Sequence, residues 1–375
     1  VGRHHLSLRL ETRLWKEEIR RNKSMERNRS HHPMITPRKI PATLRKRLLR
    51  LGTGTALVTV ILYLTLVWWC AKEIAAPSRR SAGAPHLPYF DGSKKAGFVV
   101  GKFVSSDGMP YLVCTPEHVD EFSRKAGIIR EQLAGRGISL KPAGEVIGTL
   151  LILHGRSGIK ENYLAVAERF CAVGFRCVIP DLPGHGANPE PFTTYGVLEA
   201  PMILKCYGEA AAKFGFTRQP CAILGQSMGG AEAIHTAALD GSPFGAMVIV
   251  SSFDKLETVI RGQANSLLGP TFGAAVSKPA GLVYEWKTGI HLSEINSSDK
   301  ARKIRIPTLV IHGDEDRMVP TASGKVLFEA FPKDTKKRWL GVPGAEHNNV
   351  LVTDFPVYAA MAHWFLEHVS PTPGG

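Results

Sequence analysis

The longest uninterrupted apolar stretch comes early. Residues 51–71, LGTGTALVTVILYLTLVWWCA, hold no charged side chain and stand between Arg50 and Lys72. As a helix this run is about 31 Å long, the thickness of a bilayer's hydrocarbon layer. It is apolar on every side and carries Trp68 and Trp69 at one end, where an interfacial aromatic belt would sit. The pattern therefore predicts a transmembrane helix rather than a buried core helix. A cleaved signal peptide would have a shorter apolar region, and Pro77 follows the small-residue run where cleavage would fall. The segment reads as an uncleaved signal anchor.

Beyond a stretch rich in Pro, Gly and Ser at 72–97, read as a linker, the pattern changes. FVVGKFVSSDGMPYLVC, from Phe98, holds two β-rich runs around Asp107-Gly108 and predicts a hairpin. In 117–133, Val119, Phe122, Ala126, Ile129 and Leu133 recur at three- and four-residue steps, the mark of an amphipathic helix. Short apolar runs then alternate with helical ones. TLLIL, FRCVIP, CAIL, GAMVIVSS, PTLVIHG and KRWLGVP read as strands. Between and after them, helices are expected over NYLAVAERFCAV with Gly174 as its stop, over 195–214, over SMGGAEAIHTAAL and over about 355–368. This alternation predicts an α/β fold, a mostly parallel eight-stranded sheet with helices on both faces, over residues 98–370. Ligands gather at the carboxyl ends of such strands.

Charge changes where the chain meets its surroundings. Residues 1–50 carry +11 of the total +14, so the basic balance belongs to a tail and is no argument for nucleic-acid binding by the folded part. Arg38, Lys39, Arg45, Lys46, Arg47 and Arg50 precede the span, against Lys72, Arg79 and Arg80 after it. The positive-inside rule then keeps the N-terminus in the cytoplasm and exports the chain beyond residue 72, to the periplasm or the exterior in a bacterium. MITPRKIPATLRKRLLR from Met34 is a complete basic leader in itself, so Met34 is the expected start and residues 1–33 are upstream sequence. Six cysteines in 375 residues, without metal-like spacing, are expected to be buried thiols.

The chemistry centres on AILGQSMGGAEA, residues 222–233, in which Ser227 stands between Gly225 and Gly229. A chain of this composition matches Gly-x-Ser-x-Gly by chance about 0.2 times, so the pentapeptide alone is weak. Its placement adds weight: it comes after a predicted strand and opens a predicted helix, as a nucleophile elbow does. A serine hydroxyl needs a base within reach and an acid to orient that base. DEDRMVP at 314–320 and GAEHNN at 344–349 come after the last two predicted strands, giving the chain order Ser, Asp, His.

With that order in place, residues 96–370 resemble the α/β-hydrolase superfamily. Gly313, Asp316, Val319 and Pro320 match its Gly-x-x-Asp-x-x-Val-Pro stretch, and the resemblance assigns the acid to Asp316 over Asp314. His347, in a Gly-Ala-x-His setting after the last strand, is the implied base. HGRSG at 154–158 resembles the family's loop after the third strand, which implies an oxyanion hole from the backbone N–H groups of Arg156 and Met228. DLPGHGAN at 181–188 matches a structural loop, with His185 a packing residue. His154 and His312 are expected to shape loops, and His363 and His368 to lie on the surface. TTYGVLEA and LSEINSSDKARKIRIPTLVIHGDEDRMVP are similar to the branch that contains serine-aminopeptidase-like and monoacylglycerol-lipase-like hydrolases.

Two departures stand out: the extra helix near 117–133, and a motif-free segment at 251–300, where such proteins place a cap. Its length implies a small cap over an open site that takes modest esters. The apolar span and the resemblance together imply a membrane-anchored serine hydrolase that cleaves carboxylic esters, or lipid esters, through an acyl-enzyme, with no cofactor and no metal. An aminopeptidase or acyltransferase using the same groups, and a non-catalytic tethered binding protein, are the alternatives.

Overall fold

The computed structural model describes residues 13, 15–25, 41–91, 96–216, 220–353 and 355–369. Much of the basic tail, Met34 included, lies outside them. Residues 1–61 and 62–375 form two separate compact units. Helix α1 (Ala42–Ala75) runs on from the first unit into the second; it is long and apolar enough to cross a membrane. It contains the expected span and extends it at both ends.

The second unit is built on eight strands: β1 (Phe98–Val104), β2 (Pro110–Pro116), β3 (Gly148–Leu153), β4 (Phe175–Pro180), β5 (Cys221–Gln226), β6 (Ala246–Val250), β7 (Thr308–Gly313) and β8 (Lys337–Val342). Their order in the sheet is β1-β2-β4-β3-β5-β6-β7-β8. β1 and β2 form the hairpin, β2 runs antiparallel to β4, and every later pairing is parallel. The central strands are buried on both faces, which is why they read as unbroken apolar runs. Burying Leu150, Leu151, Ile152 and Leu153 stabilises β3 by roughly 1.5–3 kcal/mol per side chain.

The helices are α2 (Leu87–Asp91), α3 (Arg124–Ala134), α4 (Leu164–Ala172), α5 (Glu199–Lys213), α6 (Met228–Ala237), α7 (Leu256–Thr288), α8 (Ser297–Ala301), α9 (Thr321–Ala330) and α10 (Val357–His368). Residues of α3, α4 and α10 join the core on one side of the sheet; residues of α5, α6 and α9 join a second core on the other.

Two helices begin later than periodicity suggests. The expected helix at 117–133 starts at Arg124, because Ser123 Oγ accepts the Ala126 N–H at 3.3 Å and caps the first turn. The one expected from 195 starts at Glu199. Tyr195 (φ 54°) and Gly196 (φ 108°) lie in the left-handed region, and the Glu199 carboxylate turns back to accept N–H bonds from Thr194 and Gly196.

Residues 72–79, the start of the stretch that composition marks as a linker, are held in place. Ala71 and Ala75 are fully buried, and the carbonyls that end α1 all find donors. Ala76 N–H bonds Lys72 O at 2.7 Å, the Arg156 guanidinium bonds Glu73 O, Tyr195 Oη bonds Ile74 O at 2.8 Å, and Thr193 N–H bonds Ala75 O at 2.8 Å. Arg79 then donates to the carbonyls of Gly186, Asn188 and Glu190. The segment is tied to the loops around the sheet's carboxyl edge.

The segment expected to form a cap contains α7, bent where Gly269 (φ 76°, ψ 164°) and Pro270 interrupt it. It has no single apolar stripe, which explains why 251–300 carried no legible pattern. The six cysteines are free thiols, five of them buried and Cys70 half-buried. His368 differs from its expected surface position: its ring packs edge-on against Trp364, at 4.3 Å between centroids, and its side chain is largely buried.

One buried carboxyl stands alone among the described residues. Both carboxylate oxygens of Glu232, on α6, are buried without a partner, and burial, helped by the nearby Glu199 charge, pushes this carboxyl well above the usual range. A raised carboxyl favours the fold at low pH and costs stability as the pH climbs above its unfolded value of about 4.3. Replacing Glu232 with Met is expected to raise the thermal midpoint at pH 8, by the equivalent of about 1–3 kcal/mol, and to change it less at pH 5. An equal effect at both pH values in thermal melts would contradict this.

Candidate active site

Ser227 sits between β5 and α6 in a backbone conformation that L-residues seldom adopt (φ 54°, ψ −116°). The strained turn lifts its side chain off the end of the sheet. Two glycines make the turn sterically feasible. A Cβ on Gly225 would fall 2.1 Å from the Gly229 carbonyl oxygen, and one on Gly229 would fall 2.3 Å from the Leu153 carbonyl oxygen. The turn is pinned by Ser227 N–H to Val250 O at 2.8 Å and by Ser252 Oγ to Ser227 O at 2.9 Å.

The loops after β7 and β8 bring the other two residues to it. His347 Nε2 lies 2.9 Å from Ser227 Oγ, and His347 Nδ1 lies 2.8 Å from Asp316 Oδ2. A carboxylate only accepts, so Nδ1 carries the proton and Nε2 presents its lone pair to the serine hydroxyl. His347 and Asp316 are both buried. Asp316 Oδ1 accepts N–H bonds from Met318 at 3.0 Å and Val319 at 2.8 Å. Burial by itself would raise this carboxyl; the facing rings of His312 and His347 and the Val319 N–H outweigh it and hold the group far below the usual carboxylate range. Asp314, the alternative acid, is exposed and takes no part.

The backbone N–H groups expected to form the oxyanion hole belong to Met228, next to Ser227 in sequence, and to Arg156, on the loop after β3; both residues line the same cavity as Ser227. Neither donates to another group of the chain among the described residues. Met228 opens α6, whose N-terminus adds positive potential. His154 is buried, with Nδ1 2.9 Å from Gly155 O and Nε2 accepting the Leu182 N–H at 3.1 Å, and burial lowers its pKa to about 4. His185 is buried beside it, lowered to about 3 by burial and then by His154. His312 Nε2 bonds Val319 O at 2.9 Å. His154 and His312 thus bond loop backbone, and His185 packs edge-on against the His154 ring at 5.2 Å between centroids. Among the described residues no three His, Cys, Asp or Glu side chains cluster as a metal would require.

Sequence reasoning missed two contributors. Tyr163 Oη donates to Gln226 Oε1 at 2.6 Å and accepts the Gly155 N–H at 3.2 Å, joining the loop after β3 to the residue before Ser227. No motif marks it. The other is α1 itself. A cavity of about 710 Å³ opens above Ser227 and His347, with walls from α1 and the cap as well as the loops. The site is more enclosed than the open one expected, because the same helix that reads as an anchor covers part of it. Its only local signal is Glu73, a lone acid just past the apolar run, which pairs with Arg156 at 3.2 Å.

A family model described as the alpha/beta hydrolase fold matches residues 148–271. The eight-stranded sheet and the residues gathered at its edge complete the pattern on either side of that match. The chain belongs to the α/β-hydrolase superfamily. A thermostable monoacylglycerol lipase of Bacillus sp. (strain H-257) is 25% identical over 226 residues, 56% of this chain and 86% of that protein. Protein bem46 of Schizosaccharomyces pombe is 24% identical over 232 residues, 60% of this chain and 69% of that protein. Among solved structures, an esterase of Pyrococcus furiosus superposes with a TM-score of 0.56 at 16% identity, covering 79% of this chain and 99% of its own. An acylaminoacyl peptidase of Pyrococcus horikoshii gives 0.52 at 16% identity, covering 78% of this chain and 45% of its own. At such identities what is shared is the hydrolase fold.

Because Asp316 is held low, its ionised form stabilises the fold above the unfolded carboxyl value of about 3.9, and that stabilisation is lost as the pH falls below it. Asp316→Asn is expected to lower the thermal midpoint at pH 7, with the gap to the parent protein narrowing below about pH 4. A gap that stays constant down to pH 3 would contradict the assignment.

Proposed function

We propose that this α/β-hydrolase is a serine hydrolase that cleaves carboxylic esters through an acyl-enzyme. The observation that carries the reading is the hydrogen-bonded chain from Ser227 Oγ through His347 to Asp316. In this reading Ser227 attacks the ester carbonyl while His347 Nε2 takes its proton, and Asp316 holds the ring in the right tautomer and stabilises the imidazolium. The N–H groups of Arg156 and Met228 receive the developing oxyanion. His347 returns the proton to the departing alcohol; water, activated by the same ring, then releases the acid.

Esters are favoured over peptides by the cavity's charge. A peptidase that takes free amino termini needs an unpaired carboxylate near the substrate amine. Glu73 is the one carboxylate lining the cavity among the described residues, and it is paired with Arg156. An acyltransferase would share the first half of the reaction and differ only in the acceptor.

A fluorophosphonate probe is expected to label Ser227, and Ser227→Ala to lose the label and at least about 10⁴-fold of ester turnover. A parent protein that remains unlabelled would make it a non-catalytic member of the superfamily.

The same proposal places α1 across a membrane with the N-terminus in the cytoplasm and the hydrolase domain exported, on the charge asymmetry around the span. Protease added to the outside of intact cells is then expected to digest the domain; protection until the membrane is opened would reverse the orientation.

A further inference from the structure

The cavity lining has two chemically different parts. Ser227, His347 and Arg156 supply polar groups; α1 and the helix α7 supply mainly apolar side chains. On α1 the wall residues are Leu66, Trp69, Cys70, Glu73 and Ile74, at steps of three and four that place them on one helix face. The adjoining face packs on the second arm of α7. Val67 and Ala71 are buried with Val276 and Ala280, small enough for close approach. Tyr63 Oη donates to Ala275 O at 2.7 Å, and the rings of Trp68 and Trp286 lie 6.2 Å apart. The cap and the end of the anchor helix are therefore one packed assembly.

Some of the wall also belongs to the outer surface. Leu66, Trp69, Leu267 and Leu268 line the cavity and are 37%, 56%, 82% and 41% exposed. Residues that are both wall and surface mark a mouth, and this mouth is rimmed by apolar side chains from α1 and from the bend of the cap. Phe272, Leu282 and Trp286, also on α7, are largely exposed as well. A concentration of exposed apolar side chains of this kind signals an apolar partner. Its position beside the helix suited to a bilayer says which one: the membrane itself, with the mouth at the level of Trp68 and Trp69.

We propose that this site takes a long acyl chain of a membrane lipid ester, admitted sideways from the bilayer between α1 and the cap. The inference rests on the serine hydrolase reading and adds the substrate class and its route. The acyl chain moves from bilayer to cavity along the apolar side chains of α1 and α7, which brings the ester carbonyl to Ser227. Ser227 Oγ bonds the acyl carbon as the C–O bond to the lipid alcohol breaks, and that alcohol leaves with the serine's proton, relayed by His347. Water then adds to the acyl-serine, the fatty acid departs, and the serine regains a proton.

The test uses the full chain reconstituted in phosphatidylcholine vesicles, with p-nitrophenyl esters from butyrate to palmitate and a fluorophosphonate probe. Palmitate is expected to exceed butyrate in kcat/KM by at least tenfold, and Leu66→Trp, which fills the wall from α1, to cut that ratio at least tenfold. Labelling of Ser227 with activity confined to short esters would overturn the inference and leave the hydrolase reading standing; so would a ratio unchanged by Leu66→Trp in a protein that still labels. Loss of labelling and of all turnover in the parent protein would remove both. Should Leu66→Trp not fold, the chain-length profile of the parent protein decides by itself.

Discussion

The turn at Ser227 is the constraint on which the site depends. A non-glycine residue at φ 54° and ψ −116° costs on the order of 1–3 kcal/mol, and it persists only where the surroundings over-determine it. Here β5 is buried on both faces, α6 packs back on the sheet, and Gly225 and Gly229 permit backbone approaches that any side chain would block. Packing energy is thereby used to hold a hydroxyl clear of the sheet edge. His347 and Asp316, on loops from two neighbouring strands, need only reach that fixed point.

A second dependence links the apolar helix to the same edge. The last carbonyls of α1 would be orphans at a free helix end. Arg156, Tyr195 and Thr193 supply three of the four donors, and each lies on a loop beside the cavity. The Arg156 side chain bonds α1 through both the backbone and the carboxylate of Glu73, while its own N–H is proposed to serve the oxyanion. The end of α1 is thus a structural part of the cavity rather than a tether attached to it.

The sheet was legible because strands buried on both faces must be mostly apolar, and β3 to β7 are. The trio Ser227, Asp316 and His347 was legible because a parallel sheet delivers the ends of successive strands to one edge, so chain order and strand position together specify a meeting place. The starts of α3 and α5 were not, since Ser123 and Glu199 act through local side-chain bonds that periodicity does not register. The docking of residues 72–91 was hidden for a different reason: its partners are about 80 to 120 positions away, and a Pro-, Gly- and Ser-rich stretch looks the same whether free or pinned by backbone carbonyls. Tyr163 and the cap walls fall in the same class.

The central claim is that Ser227 becomes acylated during turnover. Rapid mixing with a p-nitrophenyl ester, acid quenching and peptide mapping by mass spectrometry test it directly. The expected result is a burst approaching one nitrophenol per chain, with the acyl group on the peptide containing Ser227. Steady ester turnover with that serine unmodified at every time point, or an acyl group carried elsewhere in the chain, would contradict it.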